Sequence, residues 1–176
     1  RYEEALSHPN VVGLSIGTRP DCLPDEVLDY IAELSKKYFI LLEIGVESSH
    51  DKTLQLINRG HDYNTAEDAI YRANKRGIRT AAHFILGLPG ETKEDMLNTV
   101  KYLNNLNIDG IKIHMLHIIE DTYLADYYKT NPFHLLTKEE YIDIVISQLE
   151  LLKPEIVIHR ITGDPKASDL IEPNWL

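Results

Sequence analysis

The sequence is nearly devoid of cysteine. Cys22 is the only one among 176 residues, so no disulfide can form within the chain. A chain without disulfides is typical of a reduced compartment, and we predict a cytoplasmic location. Long apolar runs are also missing, because none reaches the roughly 18 residues that a membrane-spanning helix needs, and no signal peptide is visible. The sequence therefore predicts no association with a membrane.

Basic residues are in the minority. The chain has 18 Lys and Arg against 28 Asp and Glu, which gives a net charge of −10. This balance disfavours a broad phosphate-binding face. With 43% hydrophobic residues, the chain can bury a sizeable core. No low-complexity linker divides it, so we predict a single domain over residues 1–176.

The sequence does contain a regular alternation of short apolar runs and amphipathic segments. The apolar runs predict buried strands at 11–16, 39–46, 79–86, 111–116 and 156–161. Pro24 and the capping-box patterns that begin at Thr65, Thr92 and Thr137 predict helices between them. Strands that alternate with helices predict an α/β fold with a parallel sheet. The pattern does not distinguish a doubly wound sheet from part of a (β/α) barrel.

Polar residues and glycines follow the predicted strands, as in GTRPD (17–21), ESSHD (47–51) and GLPGE (87–91). The carboxyl ends of parallel strands meet at one rim, where α/β folds bind ligands. Because one strand after another brings such residues to that rim, we predict a small-molecule site there.

Several of these residues also have simpler interpretations. Arg19 and Asp21 can pair with each other, and an exposed pair contributes only ~0–1 kcal/mol. His83, on an otherwise apolar strand, can be a hydrogen-bonded core histidine, and the glycines can serve only as turns. Lys112 is the one lysine within a predicted strand, and we expect it to reach solvent. His114, His117 and His159 fit no helical metal-binding motif, so we predict no metal site.

Four ordered motifs carry a family resemblance. They are IGTRPD (16–21), EIGVES (43–48), INRGHDY (57–63) and FILGLPGET (84–92). In this order they resemble the later strands of radical SAM enzymes, above all the group with the elongator acetyltransferase subunit, the methylthiotransferases and the oxygen-independent coproporphyrinogen oxidases. The tail TGDPKASDLIEPNWL (162–176) resembles that of YhcC-type radical SAM proteins.

The resemblance implies a fold and an activity. The fold is the C-terminal part of a partial (β/α)6 TIM-like barrel with mostly parallel strands and a C-terminal extension at about 162–176. Enzymes of this family hold a [4Fe-4S] cluster on a CxxxCxxC loop. The cluster cleaves S-adenosylmethionine reductively, and the resulting 5′-deoxyadenosyl radical modifies a substrate.

This chain departs from the family in its cysteines. Cys22 alone cannot supply three thiolates to a cluster. We therefore expect the cysteine loop upstream of Arg1, no catalytic residue within the chain, and no activity of the chain alone. The resemblance further implies a reductant such as flavodoxin or ferredoxin and a substrate that is a small molecule or RNA. Surfaces exposed by such a truncation could form a dimer.

The resemblance also assigns cofactor contacts. Glu47 corresponds to a ligand of the ribose or methionine part of S-adenosylmethionine, and Arg59 to an arginine that binds the methionyl carboxylate. Thr18 or Arg19 would replace a ribose-binding carboxylate that is missing at Gly17.

The remaining contacts concern the adenosine end of the cofactor. His83 stands where relatives have an aspartate that faces the adenosine, and Gly87 would let the backbone approach adenine closely. Leu116 and His117 would offer backbone groups to the adenine edge.

Two alternatives remain open at this point. The first is a non-catalytic barrel module that binds S-adenosylmethionine or a nucleotide and has lost its cluster. The second is a metal-dependent or Schiff-base barrel enzyme.

Overall fold

The computed structural model of the protein describes residues 1–166 and 168–175 and contains one five-stranded parallel sheet. Its strands are β1 (Gly13–Thr18), β2 (Phe39–Glu47), β3 (Arg79–Leu86), β4 (Gly110–Met115) and β6 (Val157–Arg160). A second, two-stranded antiparallel sheet pairs β5 (Ile118–Ile119) with β7 (Leu170–Glu172). All five predicted strands are present, so the predicted α/β fold with a parallel sheet is confirmed.

Seven α-helices occur among the described residues. They are α1 (Tyr2–Leu6), α2 (Asp25–Ser35), α3 (Asp51–Leu56), α4 (Tyr63–Lys75), α5 (Lys93–Leu103), α6 (Tyr123–Thr130) and α7 (Lys138–Leu151). A short 3-10 turn, Pro20–Cys22, follows β1. Within residues 1–166 and 168–175, no helix combines the length and the apolarity that crossing a bilayer requires.

The strand order decides between the two sheet types that the sequence left open. The order is β1-β2-β3-β4-β6, which follows the chain without reversal. A doubly wound sheet reverses direction at a switch point, whereas successive right-handed crossovers without reversal place the helices on one face. The sheet is therefore part of a barrel, as the resemblance implied.

The two faces of the sheet differ in chemistry. Alternate strand residues such as Leu42, Phe84 and Ile113 are fully buried in the core against the helices. The opposite side is hereafter the open face. It carries Gly13, Ser15, Gly17, Phe39, Leu41, Glu43, Gly45, Arg79, Ala81, His83, Ile85, Gly110, Lys112 and His114. Its centre is polar, although the interior of a closed barrel is ordinarily filled with branched apolar side chains.

Two of the three predicted capping boxes are confirmed. The side chains of Thr92 and Thr137 cap α5 and α7, and the backbone N–H of each threonine donates in return to a carboxylate three residues on. The box predicted at Thr65 is wrong, because α4 begins two residues earlier, at Tyr63. The Asp62 carboxylate accepts the Thr65 N–H at 2.8 Å and so forms the N-cap itself.

The first strand ends later than predicted. Gly17 was expected to terminate it, but β1 continues to Thr18 because Gly17 keeps its place in the ladder opposite Glu43. The third strand, 79–86, has the predicted bounds.

The segment after β6 packs back onto the barrel. The Tyr141 hydroxyl donates to the Ile161 carbonyl at 2.6 Å, and the Trp175 indole N–H donates to the Leu136 carbonyl at 3.0 Å. β7 pairs with β5, and β5 begins three residues after the last residue of β4. This segment therefore covers part of the rim at the carboxyl end of β4.

Candidate functional site

A buried ion pair lies at the carboxyl end of β2. Arg59 Nη2 is 2.8 Å from Glu47 Oε1, and both side chains are largely buried. Glu47 has a φ of +63°, which is rare for a residue with a side chain, and it follows a register shift between β2 and β3. Such backbone strain concentrates at functional sites, where surrounding contacts hold it in place.

Gly45 makes room for this pair. A Cβ on Gly45 would overlap both Arg59 Nη2 and Glu47 Oε1, so only glycine allows the two side chains to lie across the strand. Arg59 Nη2 also donates to the Gly45 carbonyl at 3.2 Å, and Arg59 Nε donates to His61 Nε2 at 3.1 Å. The guanidinium is thus fixed by three separate partners.

The turn after α3 presents Arg59 to the rim. Asn58 and Gly60, on either side of it, have φ values of +54° and +82°. These two left-handed residues reverse the chain around Arg59 and direct its side chain back across the end of β2. Arg19 lies beside this turn, because a Cβ on Gly60 would be 3.5 Å from Arg19 Nη2.

Two carboxylates near this rim have perturbed acidities. Burial raises the pKa of Glu47, although the Arg59 charge opposes the shift. Burial also raises the pKa of Glu91, against a hydrogen bond that the Ser48 hydroxyl donates to it. The Ser48–Glu91 bond ties the residue after Glu47 to the loop before α5. Glu91 was predicted at the rim but without a specific contact, and the available signal was its place in the motif FILGLPGET.

An apolar cavity of about 340 Å³ lies beside the turn that carries Arg59. It is enclosed by α3, the turn after β3 and α6, and its walls include Ile57, Asn58, Ile85, Leu88, Pro89, Leu116, Tyr123 and Tyr127. Asn58, which lines it, precedes Arg59 in the chain. Ile85, which also lines it, follows Phe84, the ladder partner of Glu47. Neither Glu47 nor Arg59 is itself a wall of the cavity, so the two features are linked through residues next to the pair.

Gly87 lies outside that cavity. Its φ of +84° favours glycine, and a Cβ there would be 3.3 Å from the side chain of Leu136. The segment between α6 and α7 thus covers Gly87. The turn residues that reach the cavity are Leu88 and Pro89 instead.

The two predicted residues after β1 make local contacts. Arg19 forms a two-point ion pair with Asp21, and Thr18 Oγ1 donates to the Arg19 carbonyl at 3.2 Å. This is the simple pairing that the sequence allowed for Arg19. Thr18 and Arg19 lie at the Arg59 end of the rim and not in the cavity.

The histidines lie on the open face and at its edge. His83 sits in the middle of β3, and its ring centroid is 5.1 Å from that of His114 on β4. Burial, followed by the neighbouring His114, lowers the pKa of His83 to about 4. His117 is covered by Gly163, whose Cβ, if present, would be 2.5 Å from the His117 ring. Burial lowers the pKa of His117 as well.

The residues at the centre of the open face were not predicted to interact. Glu43 accepts hydrogen bonds from Ser15 and from Lys112 Nζ, the latter at 2.6 Å. Lys112 is therefore bound to a carboxylate and does not extend freely into solvent as predicted. The available signal was a glutamate that interrupts the apolar run FILLEIGV.

Two family models match this chain. The model of the Radical SAM superfamily matches residues 1–103, and that of the Radical_SAM C-terminal domain matches residues 108–176. The chain belongs to the radical SAM superfamily. The boundary between the two matches falls in the connection between α5 and β4, yet β3 and β4 pair in the same sheet.

Two curated proteins are similar to nearly the whole chain. It is 41% identical over 175 residues to YtqA of Bacillus subtilis, covering 54% of that protein, and 37% identical over 175 residues to YhcC of Escherichia coli, covering 57%. The predicted YhcC-type radical SAM relationship is confirmed. The chain spans about half the length of the curated relatives that it matches.

Solved structures support the same fold. Elp3 from Methanocaldococcus infernus superposes with a TM-score of 0.82 at 25% identity, over 92% of this chain and 38% of that one. The coproporphyrinogen III oxidase HemN of E. coli, a radical SAM enzyme, gives a TM-score of 0.61 at 25% identity, over 77% and 31%. The predicted partial radical SAM barrel is thereby confirmed.

The residues of this radical SAM chain fit one family cofactor and not the other. Cys22, the single cysteine, is exposed, and the described residues contain no group of three or more His, Cys, Asp or Glu able to hold a metal. The chain therefore lacks the thiolates for a [4Fe-4S] cluster. S-Adenosylmethionine fits better, because a carboxylate, a guanidinium and an apolar cavity adjoin at the rim.

Proposed function

We propose that this chain forms the S-adenosylmethionine-binding part of a radical SAM enzyme. The Glu47–Arg59 pair beside the apolar cavity at the carboxyl end of the sheet is the observation that supports it. Ligand sites in α/β folds combine an apolar enclosure with a few fixed polar groups. An adenosyl group needs apolar space for its base and acceptors for its ribose hydroxyls, and the methionyl carboxylate needs a cation.

Each side chain of the pair has a role in this proposal. Arg59 presents a planar fork of N–H donors that suits a carboxylate. Glu47 accepts from ribose hydroxyls, and Leu116, Ile85 and Leu88 contact the base. The cofactor contacts predicted for Thr18, Arg19, His83, Gly87 and His117 stay predictions. Of all the predicted contact residues, Leu116 is the one that lines the cavity.

The remaining parts of the reaction belong to the whole protein. With a cluster held elsewhere in the protein, S-adenosylmethionine would supply the radical chemistry that modifies a substrate. The cluster thiolates come from outside this chain, and flavodoxin or ferredoxin is the kind of reductant required. This chain's residues orient the cofactor and shield it from water.

Calorimetry of S-adenosylmethionine binding to the full-length protein tests the proposal. Glu47→Gln and Arg59→Gln each remove one charged contact, and we expect each to weaken binding about tenfold, or about 1.4 kcal/mol. Glu94→Gln, on the exposed first turn of α5, is the matched control and should leave the affinity unchanged.

Two results would change the conclusion. Unchanged affinity in both rim variants would remove the pair from the cofactor site. Tight binding without S-adenosylmethionine cleavage under dithionite reduction would instead support a non-catalytic binding module.

A further inference from the structure

The open face of the sheet carries a row of charged and polar side chains that the cofactor proposal does not use. Glu43, His83 and Lys112 lie on the adjacent strands β2, β3 and β4, and their side chains are between 11% and 26% exposed. Gly45 and Gly110, also on this face, are covered by the Glu47–Arg59 pair and by His159. Burying charges is costly unless they are paired, so this row is expensive to maintain for stability alone.

One oxygen of the Glu43 carboxylate in this row is already engaged in hydrogen bonds, and the other faces His83. Glu43 Oε1 accepts from Ser15 and Lys112, and Oε2 lies 3.3 Å from His83 Nε2. Although burial opposes it, hydrogen bonds from Lys112 and Ser15 lower the pKa of Glu43. Glu43 therefore stays ionised and serves to hold Lys112 in place.

Several side-chain N–H groups on the open face remain available to a ligand. Five buried side-chain polar atoms among the described residues lack a hydrogen-bond partner, and three of them are the Nε2 atoms of His83, His114 and His117. Lys112 has three N–H donors, and Glu43 uses one. Arg160 is the ladder partner of Lys112 on β6, and within residues 1–166 and 168–175 its guanidinium has no carboxylate partner.

Arg160 and His114 lie close enough to influence each other. After burial, the Arg160 charge is the strongest cause that lowers the pKa of His114. The imidazoles of His83 and His114 are thus neutral at pH 7, and each retains one N–H donor. A neighbouring register shift leaves His159 over Gly110 and Arg160 beside Lys112.

We propose that the open face binds an oxyanion of a small molecule, a carboxylate or phosphate group, through Arg160, Lys112 and His114. A surface that offers more free N–H donors than free acceptors recognises an acceptor-rich ligand. The net charge of −10 disfavours a polyanion such as RNA. That this molecule is the enzyme's substrate rests on the proposed function, whereas the binding itself does not.

Titration of the full-length protein with inorganic phosphate, and separately with acetate, tests the inference without S-adenosylmethionine. We expect saturable binding that weakens about tenfold in Arg160→Gln and is partly restored in Arg160→Lys, which keeps the charge. Arg79→Gln is the matched control. Arg79 is an exposed arginine at the start of β3, whereas Arg160 lies at the end of β6. Its affinity should equal that of the wild-type protein.

The outcomes separate this inference from the proposed function. Absent binding, or equal weakening in Arg160→Gln and Arg79→Gln, would overturn it. A short oligoribonucleotide that binds through Arg160 more tightly than phosphate would overturn the assignment to a small molecule. S-Adenosylmethionine affinity is measured on the same variants, so loss of phosphate binding with intact cofactor binding, or the reverse, shows which proposal fails.

Discussion

At the scale of single residues, two glycines on neighbouring strands show how different requirements produce the same residue type. Gly17 on β1 and Gly45 on β2 both lie on the open face, and neither has a positive φ. A Cβ on Gly17 would meet nothing within 4 Å, whereas one on Gly45 would overlap the Glu47–Arg59 pair. Only Gly45 is therefore required by the proposed site.

Alanine substitutions at these glycines distinguish an effect on cofactor binding from an effect on the free energy of unfolding. Gly45→Ala should weaken S-adenosylmethionine binding about tenfold, because Arg59 and Glu47 must both move. Its free energy of unfolding should fall by only about 1 kcal/mol, since the overlapping atoms are the ends of flexible side chains. Calorimetry and urea unfolding measure the two effects. Gly17→Ala is the control, and an equal loss of affinity there would contradict the explanation.

His83 makes stability depend on pH. Its pKa in the folded protein is about 4, against 6.5 for an unperturbed histidine. Between these values the unfolded chain binds a proton that the folded protein does not, so the free energy of unfolding falls as pH drops from about 6.5 to 4. Burial shifts His114 and His117 in the same direction.

Removing the imidazole should reduce this dependence. Between pH 7 and pH 5, His83→Gln should lose on the order of 1–2 kcal/mol less stability than the wild-type protein. Urea unfolding at pH 7, 6 and 5 measures the difference. His8→Gln, at an exposed position before β1, should keep the wild-type slope. An unchanged slope in His83→Gln would show that His83 is not held neutral.

At the scale of elements, helix starts are set by the first side chain able to reach the free N–H groups. Thr92 and Thr137 occupy the cap positions that their sequence patterns predict. At α4 the same pattern begins at Thr65, but Asp62 precedes it and already accepts the Thr65 N–H. A local pattern therefore misplaces a helix start when a better cap lies just upstream.

Alanine substitution at both candidates tests this correction. Asp62→Ala should lower the free energy of unfolding by about 1 kcal/mol, because it leaves the Thr65 N–H without its acceptor. Thr65→Ala keeps that backbone bond and should cost less. Thermal or urea unfolding distinguishes the two, and a larger effect of Thr65→Ala would restore the original helix start.

At the scale of the whole molecule, the cofactor proposal depends on parts that come together only in the barrel. The rim pair joins β2 to the turn after α3, and the cavity adds the turn after β3 and helix α6. The tail after β6 covers His117. None of these elements supplies thiolates, since Cys22 is the only cysteine.

The chain alone should therefore take up no four-iron cluster. Anaerobic reconstitution of the 176-residue chain with iron and sulfide should leave its absorption spectrum free of the broad cluster bands. The full-length protein under the same conditions is the comparison, and circular dichroism checks that the chain is folded. A stoichiometric four-iron spectrum from the chain would contradict the prediction.

Much of the fold followed from local pattern. The bounds of β3 and the caps of α5 and α7 were predictable because apolar periodicity and capping act within a few residues. The candidate site was harder to predict from the sequence. Glu47 and Arg59 were identified through motifs, but their ion pair was not, and the Glu43–Lys112 bond on the open face was missed because its partners are 69 residues apart.

The sequence by itself determined that strands and helices alternate, that one cysteine cannot hold a cluster, and that the family motifs occur in order. Only the tertiary structure decided that the strands follow one another without reversal, that Leu136 covers Gly87, and that Arg59 lies across Gly45. Periodicity and composition are properties of neighbouring residues, whereas strand order and side-chain contact depend on segments far apart in the chain. Those contacts are fixed only when the whole barrel packs.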